Sequence, residues 1–431
     1  MNTQSWGMGP LVSKKRLDSW KEIADFLGRS VRTVQRWHEC NRLPVHHFGG
    51  HKGSVFGYEE EIDHWLAGLA GETATSQAPA EAEQGPGRQS THELSATADA
   101  MWETRSERNI RTIAELYRKA IDHDGTDASA FTGLANAMIY CALHEIVDAT
   151  MAYPSAVEAL RRIPQLDSEH LDAKCSAAWI DMLYNRNWRQ ARAAFEEIVR
   201  KRPTSFALSG LAAMHVAEGR LGEAFDCAWE AWKRNPLVGS LGGILSWIVY
   251  LSGDFGQAIE MVAQMRSGGG GGSLATVVEA LVLVQDKRLT THLDRLEKAA
   301  MEFQQNHTLQ GILGYAYGMV GEKSKAREKQ AYLAHGSETR MKSNAYALAL
   351  VSMGLDNHQE AIARLEASYA EGTLWSLGFR TDPVLWPLRG DGRFERLAGR
   401  IGSSAQLRGE EIFEAPTPVR RLGEALAVEN P

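Results

Sequence analysis

Five alanines open similar amphipathic runs at near-constant intervals: Ala191, Ala224, Ala258, Ala326 and Ala361, in stretches such as ARAAFEEIV, AFDCAWEAW, AIEMVAQM and AIARLEASY. The steps between them are 33, 34, 68 and 35 residues, the 68 being two periods of 34. Within each run the apolar residues recur at helical spacing, so each run is one helix of a repeated unit. A period of this length holds two helices and their turns. One such unit cannot bury its own apolar face, so successive units must stack into an array. The small residue at a fixed phase lets two helices approach closely.

Other positions keep the same phase. Pro203 and Pro236 each fall 12 residues after their alanine, where proline ends a helix. Leu313-Gly314-x-x-Tyr317 is followed by Ala326, 12 residues after the glycine. These features resemble the tetratricopeptide repeat (TPR) family and its L-G-x-x-Y…A core. The resemblance covers roughly residues 101–400 and is strongest over 172–370. It weakens over 110–168, which carry about ten extra residues near Ile146–Tyr153, and over 274–301, where His292 takes the alanine position. Gly268–Gly272 falls in a loop between repeats and reads as a connection, not a nucleotide cradle. Asp382–Arg389 and Arg393–Leu397 read as the closing segment of the array.

The resemblance implies an interaction fold whose first helices line a concave groove. In the repeat phase fixed by Gly314, groove positions fall on Phe206, Trp247, Tyr250, Tyr315 and Tyr346, with the small neighbours Gly243, Gly311 and Gly318. These positions are aromatic and uncharged, and lack the basic and Asn residues of a carboxylate clamp. The expectation is a groove for an apolar or helical segment, such as the C-terminal tail of the chain itself.

The N-terminal residues follow a different pattern. Ser19-Trp20-Lys21-Glu22 is a capping box for a helix whose apolar side is Ile23, Ala24, Phe26 and Leu27, stopped by Gly28. Ser30 caps a second helix, Val31–Glu39, with Val31, Val34 and Trp37 as its buried face. Leu43–His46 and Ser54–Phe56 are short extended runs around a Gly-rich turn, and Glu59–Leu66 is a third helix. This order resembles the winged helix-turn-helix domains of the MerR and phage-excisionase class, over about residues 17–68. The resemblance implies that the second helix enters a DNA major groove. The DNA-contacting residues it points to, with their basic neighbours, are Arg29, Ser30, Arg32, Thr33, Gln35, Arg36, Arg42 and Lys52. A long dimerisation helix usually follows this domain in MerR sensors and is missing here.

Charge agrees with a local basic patch. The chain has a net charge of −7, yet residues 29–54 hold five Lys/Arg against one acid. A chain acidic overall contacts nucleic acid only through such a patch. Residues 71–98, with Leu94 as their one large apolar side chain, read as a flexible linker. The expected fold is thus mainly α: a winged helix-turn-helix head (1–70), the linker (71–98), a TPR-like α–α superhelical solenoid (99–402) and a tail (403–431).

Several chemistries are excluded on motif grounds. Cys40, Cys141, Cys175 and Cys227 are scattered without a CxxC pair, which suits a reducing cytoplasm. Cys40, His46, His47 and His51 fit no zinc-finger spacing, so no metal is expected. Gly49–Ser54 lacks P-loop spacing, so no nucleotide cofactor is expected either. No catalytic set appears, and no apolar run reaches membrane-spanning length. The function expected is a cytoplasmic, non-enzymatic transcriptional regulator. It binds double-stranded DNA through residues 1–70 and a protein or peptide, or a second copy of itself as a homodimer, through the array. The alternative is a TPR scaffold whose head docks protein.

Overall fold

A computed structural model describes residues 16–17, 19–27, 31, 34, 38, 43–47, 55–59, 61–62, 86–163, 170–236, 238–267, 272–338 and 344–402. The chain forms two compact units, Met1–Ala82 with Arg266–Gly269, and Glu83–Met265 with Gly270–Pro431.

In the first unit, helix α1 (Trp20–Leu27) starts where the sequence caps it: the Glu22 N–H donates to Ser19 Oγ at 3.1 Å. Three short strands follow the order β1 (Arg16–Leu17), β3 (Val55–Tyr58), β2 (His46–His47), all antiparallel. The β2–β3 register pairs His46 with Phe56 and His47 with Val55, so the hairpin expected from the extended runs is present. Ile23, Ala24, Val34, Leu43, Val55 and Ile62 form the core. Gly57 lets β3 lie against it, since a Cβ there would sit 3.0 Å from Ile62 Cδ1. Phe26 and Val31, expected inside, are each 37% exposed. Trp37 lies outside the described residues.

The second unit begins earlier than the composition suggests. Helix α2 (Pro86–Trp102) occupies much of the expected linker. Ala98 is fully buried, Ser95 Oγ donates to Asp127 Oδ2 at 2.9 Å, and Tyr117 OH donates to Asp99 at 2.6 Å. The flexible reading of residues 86–98 is therefore corrected: small Ala and Ser side chains build a packed helix without looking apolar. Residues 71–85 and the tail 403–431 lie outside the described residues.

Beyond α3 (Ile110–His123), the helices run in pairs. The first helices are α4 (Ala128–Leu143), α6 (Leu171–Ile180), α8 (Ser205–Ala217), α10 (Gly239–Leu251), α12 (Gly272–Leu283), α14 (His307–Met319) and α16 (Ala345–Gly354). Their starts are 43, 34, 34, 33, 35 and 38 residues apart, so the period is realised and the excess sits in the first step. The extra length lies in the longer connections, 144–148 and 162–170, on either side of α5 (Ala149–Arg161), the second helix of the first pair. The second helices are α7 (Trp188–Lys201), α9 (Leu221–Arg234), α11 (Phe255–Ser267), α13 (Leu293–Glu302), α15 (Lys323–Glu338) and α17 (His358–Glu371).

The two helix sets differ as burial demands. Most first helices are buried on nearly every side, as α14 is from His307 to Gly318. Second helices bury one stripe, as α9 does with Leu221, Ala224, Phe225, Ala228 and Ala231. The five periodic alanines are all fully buried. Glycine does the same work where two backbones meet: a Cβ on Gly318 of α14 would lie 2.2 Å from the Gly354 carbonyl oxygen of α16. Side-chain caps start several helices, among them Thr204 on α8, Asn306 on α14 and Asn357 on α17.

After α17 the chain turns at Gly372 (φ 80°) and passes among the first helices as two 3-10 turns, Leu374–Gly378 and Pro383–Leu388. It then forms α18 (Gly392–Arg400). Leu374, Trp375, Leu377, Phe379, Val384 and Leu385 of this segment are all buried. Trp375 stacks on Tyr346 at 5.4 Å, meets Trp247 edge-on at 5.8 Å, and donates its Nε1–H to Glu145 at 2.8 Å. Asp382 accepts from Tyr250 OH and Tyr346 OH, both at 2.7 Å. Burial raises the Asp382 carboxyl above the usual carboxylate range, and the two hydroxyls with the Val384 N–H pull it back. The sequence-derived closing segment is therefore part of the core.

Candidate functional site

The aromatic residues expected to line a groove are not accessible. Trp247, Tyr250 and Tyr346 are at most 1% exposed, Tyr315 is 7% and Phe206 is 9%. Trp247, Tyr250 and Tyr346 gather round the closing segment, and Tyr315 lies close enough to feel the Asp382 charge. Phe206 packs elsewhere, on Trp179 at 5.5 Å and Trp102 at 5.6 Å. The open groove is thus corrected. Residues 374–388 already fill that space, because their apolar side chains find there the burial that an exposed path would deny them.

An accessible site lies between second helices. Glu297, Ala300 and Met301 of α13, Gln304 just after it, Gln310, Leu313 and Tyr317 of α14, and Lys329 and Tyr332 of α15 line a cleft of about 460 Å³. Ala300, Gln310, Leu313 and Tyr317 are buried and form its inner wall, while Met301 is 70% and Tyr332 50% exposed at the rim. The cleft follows from a short helix. Residues Leu289–His292 make a 3-10 turn, so α13 has 10 residues where α15 has 16 and α17 has 14. His292, at the periodic alanine position, bonds Asp286 at 3.0 Å and remains partly exposed.

The polar groups of the cleft are held in place. Gln310 Nε2 donates to the Ala300 carbonyl at 2.8 Å, and Lys329 Nζ donates to Gln310 Oε1 at 2.7 Å. Tyr317 OH donates to Glu297 at 2.7 Å. The Lys325 and Lys329 ammonium groups stand 5.2 Å from the Tyr317 ring and 6.0 Å from the Tyr332 ring. Burial lowers the Lys329 ammonium, opposed by Glu297 and Glu328; burial and the Glu297 carboxylate raise the Tyr317 hydroxyl. An ammonium carries three N–H donors, so Lys329 can bind a carbonyl or carboxylate beyond Gln310. The arrangement suits an apolar side chain flanked by an acceptor. Only Leu313 and Tyr317 carry a sequence signal, as repeat positions; the signal for the rest is the broken repeat at His292.

The proposed DNA contacts Arg29, Ser30, Arg32, Thr33, Gln35, Arg36, Arg42 and Lys52 all lie outside the described residues. Among the described residues no group of His, Cys, Asp or Glu is placed to hold a metal, and no helix is long and apolar enough to cross a membrane. Burial pushes the thiols of Cys141 and Cys227 up to about 11, so neither is a ready nucleophile.

No family model and no curated protein matches the chain. Among solved structures, it is similar to the APC/C hetero-tetramer Cut9–Hcn1, with 14% identity and a TM-score of 0.46 over 79% of this chain and 59% of that one. It spans less than two thirds of that protein. It is also similar to a human IFIT1 dimer with m7Gppp-AAAA, at 12% identity and a TM-score of 0.46 over 81% and 84% of the two chains. The yeast Tom70 structure matches at 13% identity and a TM-score of 0.39 over 86% and 75%.

Proposed function

We propose that the protein is an interaction scaffold whose repeat array binds a segment of a partner protein in the α13–α15 cleft. One observation carries this reading: the space among the first helices is filled by the chain's own residues 374–388, whereas the cleft pairs exposed Met301 and Tyr332 with a buried wall and an anchored ammonium. Aromatic and Met side chains at the rim of a concave site are typical anchors for a partner. The partner segment offers an apolar side chain to Leu313 and a carbonyl or carboxylate to Lys329. Peptide display against the full chain tests it. Recovered peptides should lose at least tenfold in affinity on Tyr332→Ala and on Lys329→Ala, and peptides indifferent to both overturn the assignment.

A second reading concerns the first unit. The Ser19-capped helix and the β2–β3 hairpin favour a DNA-binding head, with Arg29, Ser30, Arg32, Thr33, Gln35, Arg36, Arg42 and Lys52 on the duplex. The scaffold is then a transcriptional regulator. Guanidinium groups read guanine O6 and N7, and hydroxyls hold phosphates. In-vitro selection of duplex sequences by the full chain tests this; a selection that enriches no sequence returns the head to protein docking.

A further inference from the structure

Three irregularities coincide where α6 passes into α7. Residues Asp181–Asn185 form a π-helical turn, a feature that recurs at functional sites. Arg186, which ends it, has φ 60°, a left-handed conformation that costs any side chain but glycine's. Its guanidinium lies 4.3 Å from the ring centroid of Tyr369, on α17. Both terminal nitrogens, Nη1 and Nη2, are buried and have no hydrogen-bond partner among the described residues.

The surroundings do not compensate that charge. Among the described residues, the ionisable groups acting on Arg186 are Tyr369, Tyr153 and Arg400, and none is a carboxylate. Arg400 places a second guanidinium 4.9 Å from the same Tyr369 ring. Glu366, whose carboxylate feels Arg400, has both oxygens taken by Arg393, at 2.9 and 2.5 Å. The Tyr153 hydroxyl is spent on the Gly372 carbonyl at 2.9 Å. Attraction to one aromatic face recovers only part of the cost of enclosing an unpaired guanidinium. Four N–H bonds in a planar fork match two oxygens of a carboxylate or phosphate.

We propose that Arg186, Tyr369 and Arg400 form a binding site for a small oxyanion. Arg186 is the enclosed fork that grips two oxygens, Tyr369 holds the fork flat, and the exposed Arg400 is the movable second cation that admits the anion from solvent. The site is separate from the cleft and independent of the scaffold reading. The shared chemistry is the paired oxygens, which inorganic phosphate, a phosphate ester or a carboxylate all present.

Thermal unfolding of the full chain in an anion-poor buffer tests the site, with inorganic phosphate, acetate and chloride titrated at matched ionic strength. Phosphate or acetate should raise the midpoint saturably and chloride should not; which of the two acts identifies the source. Arg186→Met should raise the anion-free midpoint, because it removes an unpaired charge, and should abolish the response. Arg186→Lys keeps the charge without the fork, and should fold while losing at least tenfold in anion affinity. Arg400→Gln should weaken the response. The proposal is overturned if oxyanions act no better than chloride, if Arg186→Met lowers the anion-free midpoint, or if the response survives in Arg186→Lys.

Discussion

The Tyr250 hydroxyl donates to Asp382 Oδ1 at 2.7 Å, joining residues 132 positions apart. The other oxygen of the same carboxylate holds Tyr346, so one buried acid fastens the closing segment to two first helices, α10 and α16. Leaving a buried hydroxyl without its acceptor costs about 1–3 kcal/mol. Asp382→Ala orphans two, and should destabilise the array by about 3–5 kcal/mol. Asp382→Asn keeps one oxygen for Tyr250 and the Val384 N–H, and should cost less than half as much. Urea midpoints of the two variants check this, and equal losses would show that the oxygen Asn retains contributes nothing.

Two glycine substitutions should act in opposite directions. In Gly318→Ala the new methyl meets the Gly354 backbone at 2.2 Å, and neither helix has a side chain there to move aside. Overpacking of this kind costs about 1–3 kcal/mol. Gly222, in the first turn of α9, has no atom within 4 Å of a built Cβ. Gly222→Ala should therefore stabilise the protein by up to about 1 kcal/mol through lower unfolded-state entropy. Calorimetry on both variants checks the signs.

The repeat was legible because close helix approach leaves a one-letter trace: the alanines at 191, 224, 258, 326 and 361 are the fully buried contact points. Part of the head's core was legible for a similar reason, since Ile23, Val34 and Ile62 carry helical spacing and are fully buried. The groove was misread because Trp247, Tyr250 and Tyr346 would look the same whether they faced water or Trp375. What covers α10 depends on residues more than a hundred positions away. The α2 helix was missed because Ser95 and Ala98 carry little apolar surface. The cleft left only an indirect sign, the histidine at 292.

Acid should weaken the array through buried histidines. Burial, with Arg105 nearby, pushes His144 down to about 3, and burial, with Arg220 nearby, pushes His215 down to about 4. Both pKa values are lower in the folded state, so the folded protein takes up fewer protons than the unfolded chain below the ordinary histidine value of about 6.5. Their stabilising contribution is full above that pH and is lost as pH falls towards the folded values. Between pH 7.5 and 5.5, the two together should remove about 1–2 kcal/mol, allowing for the partial exposure of His144. Urea midpoints at the two pH values measure it. The double variant His144→Gln, His215→Gln should flatten the change, and an unaltered pH dependence in that variant would assign it to other groups.

The DNA reading makes a quantitative claim about salt. Each phosphate neutralised contributes about −0.9 to the slope of log affinity against log salt concentration. Arg29, Arg32, Arg36, Arg42 and Lys52 provide up to five such contacts, so the full chain should bind a selected duplex with a slope of roughly −3 to −5. The residues should then separate by role. Arg32→Ala or Arg36→Ala should cost about 1–3 kcal/mol and relax base preference at one position, because a guanidinium reading a guanine edge discriminates among bases. Lys52→Ala should weaken all sequences alike and reduce the slope by about 1, because a phosphate contact carries no sequence information. Fluorescence anisotropy across a salt series distinguishes these outcomes. Binding that ignores salt, or Arg32 and Arg36 variants that bind every duplex as the parent does, would move the basic residues from a DNA groove to a protein surface.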